Sequence, residues 1–477
     1  VENIPCFSIV FGQAEQERFA SLSGDVNPMH MDPLFARRTQ AGFPVVHGVH
    51  VLLFCLEGLS NNLDEKSLPK GVLVRFLRPT LVGDKIDYYF FSKNESVWKI
   101  KACTEGIVVA KIQISFHPQQ RNNCNCTNSP PQLGNMPEHL GFEDIDGLFG
   151  SVKIPGTDEE FQKYLPKCNK WLGSQVIRDL ISLSTVVGMK CPGLHSIMAS
   201  LEISLAKCDD YDYLNYQVVS ADKRYQMVSL NVAGPSLSGR VEAFMRMPPI
   251  TQRSISELSQ EILPKEFENQ IALIVGGSRG LGELTAKIIA AGGGLPIITY
   301  VVGKDDAERV AQEITEFGAR CDIMQYNVSM PVKDQLSALP AKISCLYYFA
   351  TPQIFIRKDP KFNPDVFHKF CTFYCDAFVD LVEALDNRQE RELFVFYPST
   401  TALEDRPDGI TEYAMAKAAG EILCEDISRW SKKVHIYVER LPRILTDQTA
   451  TITAVESADA FKVLKPIIQK CVALTRR

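Results

Sequence analysis

Apolar positions change period several times along this chain, and each change predicts an element. Val49, Leu52, Leu53, Leu56 and Leu59 fall at helical spacing inside a mostly apolar run, the mark of a helix buried on most sides. A shorter helical pattern closes at Phe19-Ala20-Ser21-Leu22, and Leu34 to Ala41 can form another. From Gly71 the rhythm turns to strand: Val72 to Phe76, Ile86 to Phe91, Val97 to Ala102 and Ile107 to Phe116. In the last run Ile112, Ile114 and Phe116 alternate with Lys111, Gln113 and Ser115, the period of a half-buried strand. A buried helix followed by an antiparallel meander predicts a sheet wrapped around one long helix.

The same order recurs downstream. Gln175 to Met189 reads as a second long helix and Pro192-Gly193 as a turn. Strands are expected at Ile197 to Leu205, Leu214 to Val219, Met227 to Val232 and Glu242 to Met247. Between the two halves, Pro118 to Pro137 has no period and reads as surface linker. After a polar bridge from Thr251 to Asn269, strands and helices alternate, starting with Ile271 to Val275 and ending with a helix from Glu412 to Trp430. That is the order of a doubly wound parallel sheet. The expected segments are 1–120, 146–250 and 268–477, joined by linkers at 121–145 and 251–267.

Composition narrows the function. A chain of 477 residues suggests about three domains, and 45% hydrophobic with 23% charged residues reads as globular and soluble. A net charge of -6 gives no electrostatic reason to expect nucleic acid or an anionic membrane surface. No apolar run reaches the roughly 20 residues of a spanning helix. The first residues are no signal peptide, and Thr475-Arg476-Arg477 is no peroxisomal tripeptide. Fourteen scattered cysteines suit a reducing compartment, so a cytoplasmic protein is expected. Cys124-x-Cys126 lacks partners at metal-ligand spacing and reads as linker; no metal is expected.

The first candidate chemistry lies between Gly24 and Asp32. Its bland reading is a helix-capping loop, since Asp and Asn favour turns and Pro a first helical position. Its chemical reading is that Asp25 and His30 converge on one water. The residues Phe19-x-x-Leu22-Ser23-Gly24-Asp25-x-Asn27-Pro28-x-His30-x-Asp32, with Ala36, His47-Gly48 and Phe76-x-x-Pro79-x-x-x-Gly83-Asp84, resemble the MaoC-like (R)-specific enoyl hydratases and dehydratases of the hot-dog fold. The resemblance implies that one of Asp25 and His30 deprotonates the water added at the β-carbon while the partner delivers a proton at the α-carbon. It also implies that the Gly48 amide, at a helix N-terminus, donates to the thioester carbonyl. Asn27 is expected to support the loop, Asp32 to cap locally, and His47 and His50 to be structural. The second half has no Asp-x-Asn-Pro-x-His before its helix, and is expected to be a non-catalytic hot-dog that shapes the acyl pocket. His195 has no acid at a motif spacing and reads as a turn or pocket residue.

The second candidate chemistry opens at Gly276-Gly277-Ser278-Arg279-Gly280-Leu281-Gly282, a Gly-rich turn between a strand and a helix that lets backbone amides approach a pyrophosphate. Tyr413-x-x-x-Lys417, with Ser399 fourteen residues before Tyr413, joins it. Together these resemble the short-chain dehydrogenases/reductases over about residues 268–477. The resemblance implies cofactor contacts at Gly276, Ser278, Arg279, Gly280, Leu281 and Gly282, at Asn327-Val328 and at Ile444-x-Thr446. Tyr413 would exchange the hydroxyl proton, Lys417 would lower its pKa and hold the ribose, and Ser399 would orient the carbonyl. No acid ends the second strand to hold a ribose 2′-hydroxyl, whereas Arg279 and Lys304 can meet a 2′-phosphate, which favours NADP(H). Tyr348-Phe349-Ala350-Thr351 departs from the usual Asn-Asn-Ala-Gly, Tyr374 stands near the place of the proton-relay Asn, and Leu441-Pro442 replaces the usual Pro-Gly.

The expected whole is an α+β double hot-dog followed by an α/β Rossmann-like doubly wound parallel sheet. Its expected work is NADPH-dependent reduction of a 3-oxoacyl thioester, carried on coenzyme A or acyl carrier protein. Dehydration of the (R)-3-hydroxyacyl product would follow, as in fatty acid or polyketide assembly. Two alternatives stand beside it: the catabolic direction of the β-oxidation multifunctional enzymes, and a working hydratase beside a non-catalytic docking module. A homodimer is expected from both resemblances.

Overall fold

Alternating apolar positions build one antiparallel sheet of ten strands in the N-terminal half of this computed structural model. The structure describes residues 5–60, 68–94, 96–117, 136–153, 157–205, 212–339, 342–355, 361–388, 390–453 and 455–475. The Cys124-x-Cys126 pair and residues 121–135 of the expected linker lie outside them. The chain divides into two compact units, 1–248 with 451–454, and 249–450 with 455–477.

In the first unit the strands are β1 (Phe7–Val10), β2 (Leu68–Phe76), β3 (Lys85–Asn94), β4 (Val97–Thr104), β5 (Ile107–His117), β6 (Phe149–Lys153), β7 (Ser196–Leu205), β8 (Tyr213–Asp222), β9 (Met227–Ala233) and β10 (Leu237–Met245). Their order is β1-β3-β4-β5-β2-β7-β10-β9-β8-β6. Read inward from either edge, the two halves repeat: an edge strand, a three-strand meander, then the strand that meets its counterpart at the β2–β7 seam. There Val72 lies opposite Ile203 and Val74 opposite Leu201. Each half wraps one long helix, Gly48–Leu59 in the first and Ser174–Thr185 in the second, and both share one core. Leu52, Leu53 and Leu56 are fully buried, each stabilising the fold by roughly 1.5–3 kcal/mol. The second central helix continues into a π-turn over Val186–Lys190, which carries it to the polar loop at Asp25.

The second unit is a six-stranded parallel sheet: β11 (Ile271–Val275), β12 (Leu295–Tyr300), β13 (Asp322–Gln325), β14 (Cys345–Tyr348), β15 (Leu393–Thr400) and β16 (Val434–Leu441). The order β13-β12-β11-β14-β15-β16 is that of the doubly wound dinucleotide-binding fold, whose ligands lie outside the carboxyl ends of the strands where the order reverses. Separate apolar layers cover its two faces. No helix among the described residues is long and apolar enough to cross a membrane.

Three expectations change. Residues 251–267 are not bare linker: Ser254 and Glu257 form a capping box that starts a helix at Ile255–Ser259. Ile255, Leu258, Ile262 and Phe267 then bury themselves in the core of the second unit. The strand expected at Glu242 begins at Leu237, because Gly239 allows a backbone approach to Glu202 that a Cβ would block. The helix expected over Leu34 to Ala41 is the single turn Pro33–Ala36.

Candidate active sites

The first site is assembled by three caps. Gly24 ends the helix Gln13–Ser23 in the left-handed region (φ 74) and turns the chain inward. Asn27 caps the turn Pro28–Met31 by accepting from the Met29 N–H. Its amide also donates to the carbonyl of Gly188 at 2.8 Å and reaches those of Gly193 and Leu194. Asp32 caps the following turn through the Leu34 N–H, the local role expected of it. These contacts hold Asp25 and His30 at a fixed separation.

Asp25 is 1% exposed. The Ser184 hydroxyl donates to its Oδ2 at 2.6 Å, and the Asn27 N–H to its Oδ1 at 3.2 Å. Burial pushes its carboxyl above the ordinary range, opposed by His30 and by these two hydrogen bonds. His30 Nδ1 lies 2.6 Å from the carbonyl of Val45, which can only accept, so Nδ1 carries the proton and Nε2 is the free nitrogen. Burial pushes His30 below its ordinary value, with Asp25 pulling the other way. His47 stacks on His30 with ring centres 3.8 Å apart, and its Nε2 donates to the Asp25 carbonyl at 3.2 Å. An Asp25 oxygen and one ring nitrogen each of His30 and His47 lie within 4.8 Å of one another. Burial holds His47 and His50 well below the ordinary histidine range. His50 bridges Gln16 and Tyr164 inside the core. Gly48 begins the first central helix, with no side chain capping it. A Cβ at Gly48 would press on the ring of Phe76 at 3.0 Å.

The second site begins at the Gly-rich turn. Gly276 and Gly280 have positive φ (82 and 59), and a Cβ on Gly282 would overlap the Gly276 carbonyl. Gly277 is confined by Ile298, whose Cβ would be 2.7 Å from an added one. The helix Gly280–Ala291 starts at Arg279 without a side-chain cap, so its first amides are available to a phosphate. Ser278 is buried within the turn, and Leu281 packs against the core beneath it. Thr446 lies against Gly280, while Ile444 is buried and bridges to Ala458. Arg279 pairs with Asp447 at 3.3 Å and Lys304 with Glu308 at 2.9 Å. Asn327 follows β13, with its N–H on Gln335 and its side chain on the Ser329 N–H, and Val328 is buried beside it.

The expected Ser399–Tyr413–Lys417 set is only partly assembled. Adjacent strand residues point to opposite faces. The Ser399 hydroxyl donates to Glu421 at 2.5 Å, and Glu421 is held by Arg440. The hydroxyl of the next residue, Thr400, instead favours the ionised Tyr413 phenol. Burial pushes the Tyr413 phenol up to about 12, with Thr400 opposing. Lys417 donates to the Pro398 carbonyl at 2.6 Å and lies 3.9 Å from the Tyr374 ring centre. Burial pushes its amine down to about 7. Tyr374 meets Tyr413 edge-on at 5.8 Å and shares a 2.5 Å hydrogen bond with Thr351.

Sequence reasoning missed Ser184, Gly188, Thr400 and Asp447. Only Thr400 had a local signal: strand alternation lets just one of Ser399 and Thr400 face Tyr413. The others are brought in by packing across more than 150 residues.

Comparison with known proteins finds similarity in both units. Residues 6–111 match the MaoC like domain. The (R)-specific enoyl-CoA hydratase of Aeromonas caviae is 40% identical over 77 residues, 16% of this chain and 58% of that protein. The chain therefore matches less than two thirds of that relative's length. An NADPH-dependent aldehyde reductase-like protein, chloroplastic, of Arabidopsis thaliana is 29% identical over 196 residues, 36% of this chain and 70% of that protein. A short chain dehydrogenase from Burkholderia cenocepacia J2315, solved in complex with NADP, aligns with 43% of this chain and 91% of its own, at 20% identity and a TM-score of 0.37. The chain thus joins a MaoC-like domain at residues 6–111 to a C-terminal unit of the doubly wound dinucleotide-binding fold, with similarity to reductases.

Proposed function

We propose that this chain interconverts enoyl and (R)-3-hydroxyacyl thioesters at Asp25 and His30. The observation that carries this is the convergence of the Asp25 carboxylate and the His30 ring within 4.8 Å, with His30 Nδ1 committed to Val45. Two proton acceptors at that spacing suit one water. As its oxygen bonds the β-carbon, one acceptor takes its proton and returns it to the α-carbon when the enolate collapses. The Gly48 amide meets the thioester oxygen as charge develops there. The two halves of the first unit form a double hot-dog, of which the second is non-catalytic and holds the catalytic loop through Ser184 and Gly188.

The second unit supplies NADPH-dependent reduction of the matching 3-oxoacyl thioester. The Gly276–Gly282 turn would hold the pyrophosphate, and Arg279 with Lys304 would hold the 2′-phosphate after leaving their carboxylate partners. NADPH, when bound, would supply hydride; Tyr413 would supply the proton, its ionised form favoured by the Thr400 hydroxyl. A second reading makes this unit a non-catalytic nucleotide-binding or docking module. It is favoured by the Ser399–Glu421 bond and by Lys417 being tied to Pro398.

The test uses the full chain. Hydration of crotonyl-CoA, followed by loss of enoyl absorbance, falls roughly 10²–10⁴-fold in Asp25→Asn and in His30→Ala. A near-normal rate in either variant ends the hydratase reading. NADPH consumption with a 3-oxoacyl thioester, presented on coenzyme A and on carrier protein, separates reduction from docking. Turnover abolished by Tyr413→Phe removes the docking reading, and tight NADPH binding without turnover removes the reductase.

A further inference from the structure

Arg246 follows the last strand of the first unit and carries a charge that no described residue neutralises. It is 8% exposed. Its backbone N–H donates to the His195 carbonyl at 2.8 Å, and its Nη2 to the Leu194 carbonyl at 3.1 Å. Its guanidinium carbon lies 5.4 Å from the ring centre of Phe35. Nε and Nη1 are sealed from solvent without a partner. An unpaired buried guanidinium is costly, and burial alone pushes it down to about 10, still cationic at neutral pH. Because the two orphaned nitrogens are walled off, the group acts through its field rather than as a hook for a ligand.

That field falls on the catalytic loop. The Leu194 carbonyl that receives Arg246 is also within 3.4 Å of the Asn27 amide, and Phe35 belongs to the turn just after His30. The charged and titratable groups around His30 come from three directions. Asp25 faces it from the loop, and His47 and His50 from the start of the first central helix. Arg246 faces it from the end of β10, backed by His195 and His139. Asp25 and the Val45 carbonyl draw a proton onto His30, and burial and Arg246 oppose them.

We propose that Arg246 is a positioning residue of the Asp25–His30 pair, its buried guanidinium adding to burial in keeping His30 the neutral imidazole. The proposal rests on the hydratase reading above. With Nδ1–H on Val45, a neutral His30 presents a bare Nε2 lone pair, so the water between it and Asp25 meets two acceptors. An imidazolium would present a donor instead and pair with the Asp25 carboxylate, removing both acceptors at once. His195, whose ring Nε2 contacts that of His139 at 3.3 Å, is kept neutral by burial and by the same guanidinium, its pKa pushed down to about 4.

The test compares Arg246→Lys, which keeps the charge, with Arg246→Met, which keeps the bulk. The readout is the pH dependence of kcat/KM for crotonyl-CoA hydration by the full chain. Removing the cation raises the His30 pKa, so the acid limb of the Met variant moves up by about one pH unit, roughly a tenfold loss at a fixed pH below the limb. The Lys variant keeps the limb in place. A Met profile that is only scaled down, with its limb unmoved, overturns the proposal, as does a Lys variant shifted like the Met one. Titration of ¹⁵N-histidine resonances in the unsubstituted chain, with His30 assigned through His30→Gln, does not depend on folding of the Arg246 variants. The proposal requires His30 to stay neutral through the ordinary range near pH 6.5, and titration at or above that value overturns it. This measurement stands even if no hydration is found, so the two readings fail separately.

Discussion

The Ser184 hydroxyl donates to Asp25 Oδ2 at 2.6 Å, joining a loop near the start of the chain to a helix 159 residues later. The bond favours the ionised carboxylate against the burial that disfavours it. The second half of the first unit therefore contributes to the electrostatics of the site and not only to its walls.

Removing that hydroxyl should be felt in the pH profile. In Ser184→Ala the Asp25 carboxyl loses a donor to its charged form, so its pKa rises and the acid limb of hydration moves to higher pH. We expect a loss of about tenfold at neutral pH, with thermal unfolding shifted little. An unchanged limb with a large loss of stability would assign Ser184 to packing alone.

Gly188 offers a steric test of the same arrangement. An added Cβ would overlap both oxygens of Asp25. Gly188→Ala should thus displace the carboxylate or the π-turn, costing about 1–3 kcal/mol of stability and most of the hydratase activity. Reduction by the second unit should be untouched in the same variant. Wild-type hydration by Gly188→Ala would show that Asp25 need not hold this position.

For the second unit, strand alternation makes a choice between neighbours. Thr400→Val should lower 3-oxoacyl thioester reduction by roughly a hundredfold, because it removes the hydroxyl that favours the ionised Tyr413 phenol. Ser399→Ala should leave kcat within about threefold and chiefly loosen Glu421 and Arg440. The reverse ranking, measured as NADPH consumption, would restore Ser399 to the reaction.

Lys417 predicts a pH dependence of stability. Its amine falls from 10.5 to about 7 on folding, so between those values the unfolded chain binds more protons than the native one. Unfolding free energy therefore rises with pH across that window and is lost again as pH falls toward 7. Denaturant unfolding of the full chain at several pH values should show this slope, and Lys417→Met should flatten it. A slope identical in both proteins would mean that Lys417 is solvated as an ordinary ammonium.

Much of this protein was legible before any coordinates. The period of Val49 to Leu59 foretold a buried helix, and the alternation from Lys111 to Phe116 foretold a strand. Strand-turn-helix at Gly276–Gly282 foretold the nucleotide fold, because each of these is a local pattern read over a few residues. Gly24 to Asp32 likewise stood out as a candidate site through residue types whose caps and turns are made within the segment. Tertiary structure alone decided what surrounds them. That Ser184 and Gly188 face Asp25, and that Arg246 meets the Leu194 carbonyl beside Asn27, depend on two halves packing across a shared seam. That Asp447 claims Arg279, and that Thr400 rather than Ser399 meets Tyr413, depend on strand facing and loop return. Sequence spacing encodes contacts along an element, whereas the field and the sterics at a site are set by whatever folding brings beside it.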